Sequence, residues 1–128
     1  MPNLSQTFAV LGPSLGITPI EVTPTIYQEL DERFDGFRGH VLVATYEFGE
    51  SWPTWEIHPK GDELVVLLSG EARMVLGENG GERVVRLDKP GDYVIVPRGT
   101  WHTARIDGPT RMLFVTPGEG TQNKAAPA

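Results

Sequence analysis

Short apolar runs punctuated by glycine and proline dominate the chain from residue 39 onward. GHVLVATYEF is rich in β-branched and aromatic residues, which suit a pleated, half-buried strand. SWPTWEIHP follows as a second strand, where Pro53 points to an edge or a bulge because it has no N–H to give to a ladder. ELVVLLS is an unbroken apolar run of the buried kind, ended by Gly70. EARMVLG and ERVVRLD flank Glu78-Asn79-Gly80-Gly81, and Asn-Gly between two such runs is a strong hairpin signal. Lys89-Pro90-Gly91-Asp92 turns the chain into YVIVP, Arg98-Gly99 turns it again, and TWHTARI and TRMLFVTP close the series. About eight strands at this spacing predict an all-β sandwich or closed barrel.

The flanks read differently. MPNLSQTFAVLGPSLG is mildly apolar and broken by Gly and Pro, as in an edge strand or an arm over a neighbour. Thr23-Pro24-Thr25 opens a short helix: Pro24 suits a first helical turn, and Thr25 with Gln28 reads as a capping box. Ile26, Leu30 and Phe34 form one apolar stripe, which Asp35-Gly36 ends. GEGTQNKAAPA is small and polar and reads as a loose tail or an arm. The expected division is an arm and helix over 1–38, a barrel over 39–117 and a tail over 118–128. A length of 128 residues suits a single structural domain.

Composition narrows the function classes. The chain is 39% hydrophobic, enough for a sizeable core. Seventeen acidic against eleven basic side chains give a formal charge of -6, and no Lys/Arg cluster offers a footprint for nucleic acid or an anionic membrane. A small-molecule partner is the expectation. With no cysteine, disulfides and thiolate chemistry are excluded, and any metal must be held by His, Asp or Glu. No basic-then-apolar leader pattern and no apolar run of membrane-spanning length occur, so the expected location is cytoplasmic.

Candidate chemistry concentrates in WEIHPKGDELVVLLSG. Glu56 and His58 are two apart on a strand and share a face, whereas Trp55 and Ile57 take the other. Glu63 lies beyond a Pro-Lys-Gly turn that can bring it beside His58, and His102 in PRGTWH can reach the same interior if its strand joins the barrel. Two imidazoles with one or two carboxylates suit a first-row divalent ion such as Fe, Mn, Ni, Co or Zn. Taken singly, His58 and His102 read as ordinary barrel-lining histidines. Glu56 reads either as a ligand or as a proton acceptor beside the ion. His40 and Asp62 read as surface residues. Trp52 is a candidate roof for a pocket, Tyr46 and Met74 are pocket candidates by alternation, and Trp55 and Trp101 suggest an apolar outer face against the helix or a second subunit.

These residues resemble the cupin superfamily, whose first motif is G-x5-H-x-H-x(3,4)-E-x6-G and whose second is G-x5-P-x-G-x2-H-x3-N. His58, Glu63 and Gly70 keep the first spacing, and Gly91, Pro97, Gly99 and His102 keep the second. The chain departs from the pattern at Glu56, which stands where the family has its first His, at Gly49, which sits one place early, and at Ile106, which replaces the final Asn. The resemblance implies a double-stranded β-helix, a jelly-roll-like barrel with a short N-terminal helix outside it. It also implies His58, Glu63 and His102 as ligands of one divalent ion, with Glu56 in the remaining ligand position as a ligand of a different type or as a catalytic proton-transfer group. Pairing of two copies into a homodimer is a further implication. Three functions stay open: a metal-dependent dioxygenase or isomerase acting on a small oxygen-rich metabolite such as an oxo acid or diketone, a non-catalytic binding or sensory module with a structural metal, and a sugar-modifying enzyme that works without metal.

Overall fold

The computed structural model describes residues 1–126. Eleven strands and one α-helix follow one another among these residues. The N-terminal part comprises β1 (Thr7–Leu11), β2 (Ile17–Glu21), α1 (Ile26–Arg33) and a one-turn helix at Asp35–Phe37. Then come β3 (Val41–Phe48), β4 (Thr54–Ile57), β5 (Glu63–Ser69), β6 (Ala72–Glu78), β7 (Gly81–Leu87), β8 (Tyr93–Val96), β9 (His102–Arg105), β10 (Thr110–Thr116) and β11 (Gln122–Ala125). They form two antiparallel sheets, ordered β2-β1-β3-β10-β5-β8 and β11-β4-β9-β6-β7, the two walls of a jelly roll.

The strands from β3 to β10 are those the apolar pattern predicts. Alternation does the positioning: Val65 and Leu67 of β5 point inward with Met74 and Leu76 of β6 and Met112 and Phe114 of β10, forming the core between the walls. The β6–β7 hairpin turns on Asn79 and Gly80, both with positive φ (51° and 76°), the conformation that makes Asn-Gly favourable there. Gly70 has φ +83°, and a Cβ at that position would stand 2.4 Å from the Pro109 carbonyl oxygen. A side chain there is excluded by both backbone strain and contact.

The N-terminal part is more integrated than an arm. β1 lies inside the sheet, paired to β2 on one side and β3 on the other. Phe8 and Val10 of β1 and Ile20 of β2 join Ile26 and Leu30 of α1, Phe37, and Leu42 and Ala44 of β3 in a second apolar cluster. The capping box does not form. Thr25 sits at the N-cap with φ −109° and ψ 26°, outside the extended region a cap requires, and its side chain makes no capping bond. The Thr23 and Thr25 hydroxyls donate to the Glu29 carboxylate instead, and Gln28 donates to Glu32 at 3.0 Å.

The polar tail also departs from expectation. Its residues 122–125 are strand β11, which pairs with β4 in the register Asn123↔Glu56 and Lys124↔Trp55. All four residues are exposed, so no apolar pattern marks them; the strand exists because it satisfies the backbone groups along β4. Trp55 is buried within the chain, and the Lys124 ammonium stands 4.3 Å from the Trp101 ring centroid. The expected cover for these tryptophans is the helix or a second subunit; within the chain it is strand β11 that lies beside them.

Candidate metal centre and cavity

Pairing of β4 with β9 places Glu56 directly opposite His102. His58 follows β4, its carbonyl fixed by the Gly99 N–H at 3.0 Å. Glu63 opens β5 in the facing sheet, paired to Val96, so it meets the imidazoles from the opposite wall. His102 is fully buried, and His58 and Glu63 keep only 4% and 3% exposure, so water cannot solvate these groups.

The four side chains converge. The Nε2 of His58 lies 3.3 Å from Glu63 Oε2 and 3.6 Å from Glu56 Oε1, and the Nε2 of His102 lies 3.1 Å from Glu63 Oε1. Ligand atoms of Glu56, His58 and His102 all fall within 4.8 Å of one another.

The other ring nitrogens settle which tautomers the site favours. Thr121 Oγ1 donates to the Gly118 carbonyl at 2.9 Å, so at 2.8 Å from His58 Nδ1 it acts as acceptor for the Nδ1–H. His102 Nδ1 faces the Thr100 carbonyl at 3.1 Å, which can only accept. Neutral imidazoles bonded this way turn both Nε2 lone pairs toward the carboxylates. Although the separations are short, both Nε2 atoms and Glu63 Oε1 lack an aligned hydrogen bond. Lone pairs gathered around a common point in a buried site are offset either by a proton on an imidazole or by a metal ion among them. Two imidazoles and two carboxylates are a donor set that fits a first-row divalent ion.

Without an ion, the same groups attract one another as charges instead. Burial pushes the Glu63 carboxyl up, but the His102 and His58 imidazoles outweigh it and hold it down at about 2. Burial lowers His102, and the Glu63 carboxylate more than compensates, raising it. Burial and then the Glu63 charge push Glu56 up.

Glu56, about a third exposed, links the cluster to a cavity of about 890 Å³ between the barrel and α1. Trp52 and Tyr46 line it, as alternation suggested; Met74 is instead fully buried in the core. Asp62 is exposed and accepts the Arg98 N–H at 2.8 Å. His40 is half-buried, its ring 5.4 Å from that of Phe37 and 5.5 Å from that of Phe34. Three residues of the site escaped sequence reasoning. Thr116 donates to Glu63 Oε2 at 2.6 Å; it shares the inward parity of Met112 and Phe114, a signal that was available. Thr121 has no local signal. Tyr27 reaches the cavity from α1 and meets the Tyr46 hydroxyl.

A family model described as a cupin domain matches residues 42–116. No curated protein sequence matches the chain. Among solved structures, an oxalate oxidase superposes with a TM-score of 0.54 at 21% identity, covering 63% of this chain and 44% of that one. A cupin-2 domain protein of Shewanella frigidimarina gives 0.51 at 14% identity, covering 60% and 70%. The oxalate decarboxylase of Bacillus subtilis gives 0.52 at 24% identity, covering 67% of this chain and 23% of that one. The chain thus matches less than half the length of the oxidase and about a quarter of the decarboxylase.

Proposed function

The chain belongs to the cupin family, and from that premise we propose that it holds one divalent first-row ion on His58, His102, Glu63 and Glu56 and acts on a small oxygen-bearing metabolite as a metal-dependent oxygenase or isomerase. The observation that carries this reading is the pair of imidazole Nε2 atoms turned, without hydrogen-bond partners, toward a buried carboxylate. An oxalate decarboxylase of the same fold is described with Mn(II) centres, and hard oxygen donors beside imidazole suit Mn(II) here as well as its neighbours in the row. When bound, the ion supplies Lewis acidity toward a carbonyl or hydroxyl oxygen. The chain itself does the rest. Thr121 and the Thr100 carbonyl orient the imidazoles, and Thr116 orients Glu63. Glu56, on the cavity side, either completes the ligand set or takes a proton from the bound molecule. The cavity next to the donors favours a ligand-processing site over a purely structural ion.

Elemental analysis of the purified protein tests the reading. About one divalent ion per chain is expected, and His58→Ala or His102→Ala should lose most of it. Unchanged metal content in both variants would overturn the assignment.

We also propose a homodimer. The outer face of the six-stranded sheet carries Leu64, Val66 and Leu68 of β5 beside Tyr93 and Ile95 of β8, the last two 60% and 52% exposed. Such a flat apolar face favours a self-complementary pairing.

A further inference from the structure

The cavity beside the metal ligands carries charge of one sign only. Asp31 of α1, Glu47 of β3 and Glu50 line it together with Glu56 and Glu63, and no lysine or arginine lines it among the described residues. Its other wall is aromatic. Phe48, Trp52 and Phe114 pack as one cluster, with ring centroids 5.5 Å (Phe48–Trp52), 5.9 Å (Trp52–Phe114) and 6.1 Å (Phe48–Phe114) apart. The polar groups it offers beyond the carboxylates include uncharged ones, the hydroxyls of Tyr27 and Tyr46, which meet each other.

Recognition of a carboxylate or phosphate in a partly dry site relies on guanidinium or ammonium groups. None is present on this wall, and a 2+ ion held by Glu56 and Glu63 has a formal charge of zero. Nothing is left over to balance an anionic ligand, which would also face Asp31, Glu47 and Glu50 at the cavity rim. The same balance leaves no net positive charge to repel a cation, so the charge argument excludes anions, and the ligand type that a first-row ion with this donor set takes is an oxygen. An apolar body against the aromatic wall is rewarded by its removal from water.

Resting on the metal-centre reading above, we infer that the ligand of this cavity is a non-anionic molecule with an aromatic or bulky apolar body and a pair of carbonyl or hydroxyl oxygens. The oxygens face the metal ligands, and the body lies along Phe48, Trp52 and Phe114. The oxalate named for the neighbouring folds is a dianion and lacks such a body, so the shared fold does not carry its substrate to this chain.

Two probes that differ in charge and little else test the inference: 1-phenyl-1,2-propanedione and phenylglyoxylate. Both carry a phenyl ring and two adjacent carbonyl carbons, the first ending in a methyl group and the second in a carboxylate oxygen. Calorimetric titration of the full chain reconstituted with Co(II), at neutral pH, should show the dione binding at least about tenfold more tightly, about 1.4 kcal/mol. Glu47→Gln with Glu50→Gln, which removes two negative charges from the cavity wall without touching the metal ligands, should strengthen phenylglyoxylate binding several-fold and change dione binding much less. Equal or tighter binding of phenylglyoxylate to the unaltered chain, or no binding of the dione, would overturn the substrate class while leaving the metal centre intact. Cobalt content is measured on the same sample, and failure to retain the ion overturns the metal reading and this inference with it.

Discussion

Thr121→Val removes one hydroxyl from the tail and reads out how the metal centre is held. The Thr121 oxygen accepts the His58 Nδ1–H at 2.8 Å and its hydroxyl donates a hydrogen bond to the Gly118 carbonyl at 2.9 Å. Valine keeps the shape and removes both bonds. His58 is only 4% exposed, so no bulk water replaces the lost acceptor, and a buried donor left unpaired costs about 1–3 kcal/mol. Part of that cost appears as lost stability, measurable as a lower urea midpoint. The part specific to holding the lone pair of Nε2 on the ion appears as lost affinity. Changes to groups that orient a ligating imidazole typically cost about 10–100-fold, which is about 1.4–2.8 kcal/mol. Competition for the ion with a chromophoric chelator measures this term separately. Thr121→Ser, which restores the oxygen, should recover most of both losses. If affinity and stability were both unchanged in the valine variant, or if serine behaved like valine, the orienting role would be refuted.

Glu56→Ala should weaken metal binding by at least about tenfold if the carboxylate is a ligand; full retention of the ion with loss of turnover alone would make it a proton-transfer group instead. Asp92 accepts the backbone N–H groups of Asp88 at 3.1 Å and Lys89 at 3.0 Å, which hold its carboxyl below the ordinary 3.8. A depressed carboxyl stabilises the fold above its ordinary value, and that contribution is lost as pH falls through the lowered one. Asp92→Asn should therefore be less stable than the unaltered chain near neutral pH, with the gap closing in acid; a gap constant with pH would contradict this. Light scattering at micromolar concentration should give a dimer mass, and Tyr93→Lys with Ile95→Lys should shift it to the monomer; a monomer mass for the unaltered chain would refute the proposed interface.

Legibility followed how local the signal is. Strand period, turn chemistry and the two-residue step from Glu56 to His58 are properties of neighbouring residues, so β3 to β10 and the shared face of that pair could be read directly. The motif spacing around Glu63 and His102 is also legible in one dimension, so both are expected beside them. The Asn79-Gly80 hairpin is local in the same sense, since positive φ at both positions is a preference of those two residues. The capping box failed although it too is a local pattern. Glu29, one turn further on, drew both threonine hydroxyls, and a side chain with two available partners cannot be assigned from spacing alone.

The sequence by itself determined the class of fold, the side-chain types of the candidate site and the face on which two of them lie. Tertiary structure alone decided the rest. Strand β11 exists because β4 had backbone groups to satisfy, and an edge strand exposed at every residue leaves no trace in hydropathy. Its arrival carries Thr121 from the tail to His58, a pairing across 63 residues. Glu63 meets the imidazoles from the opposite sheet, so the convergence of these side chains is a property of two walls facing each other. The uniform sign of the cavity arises in the same way. Asp31 and Tyr27 of a helix are folded over Glu56 of a barrel strand, and charges distant in the chain become one field only when the chain closes around them.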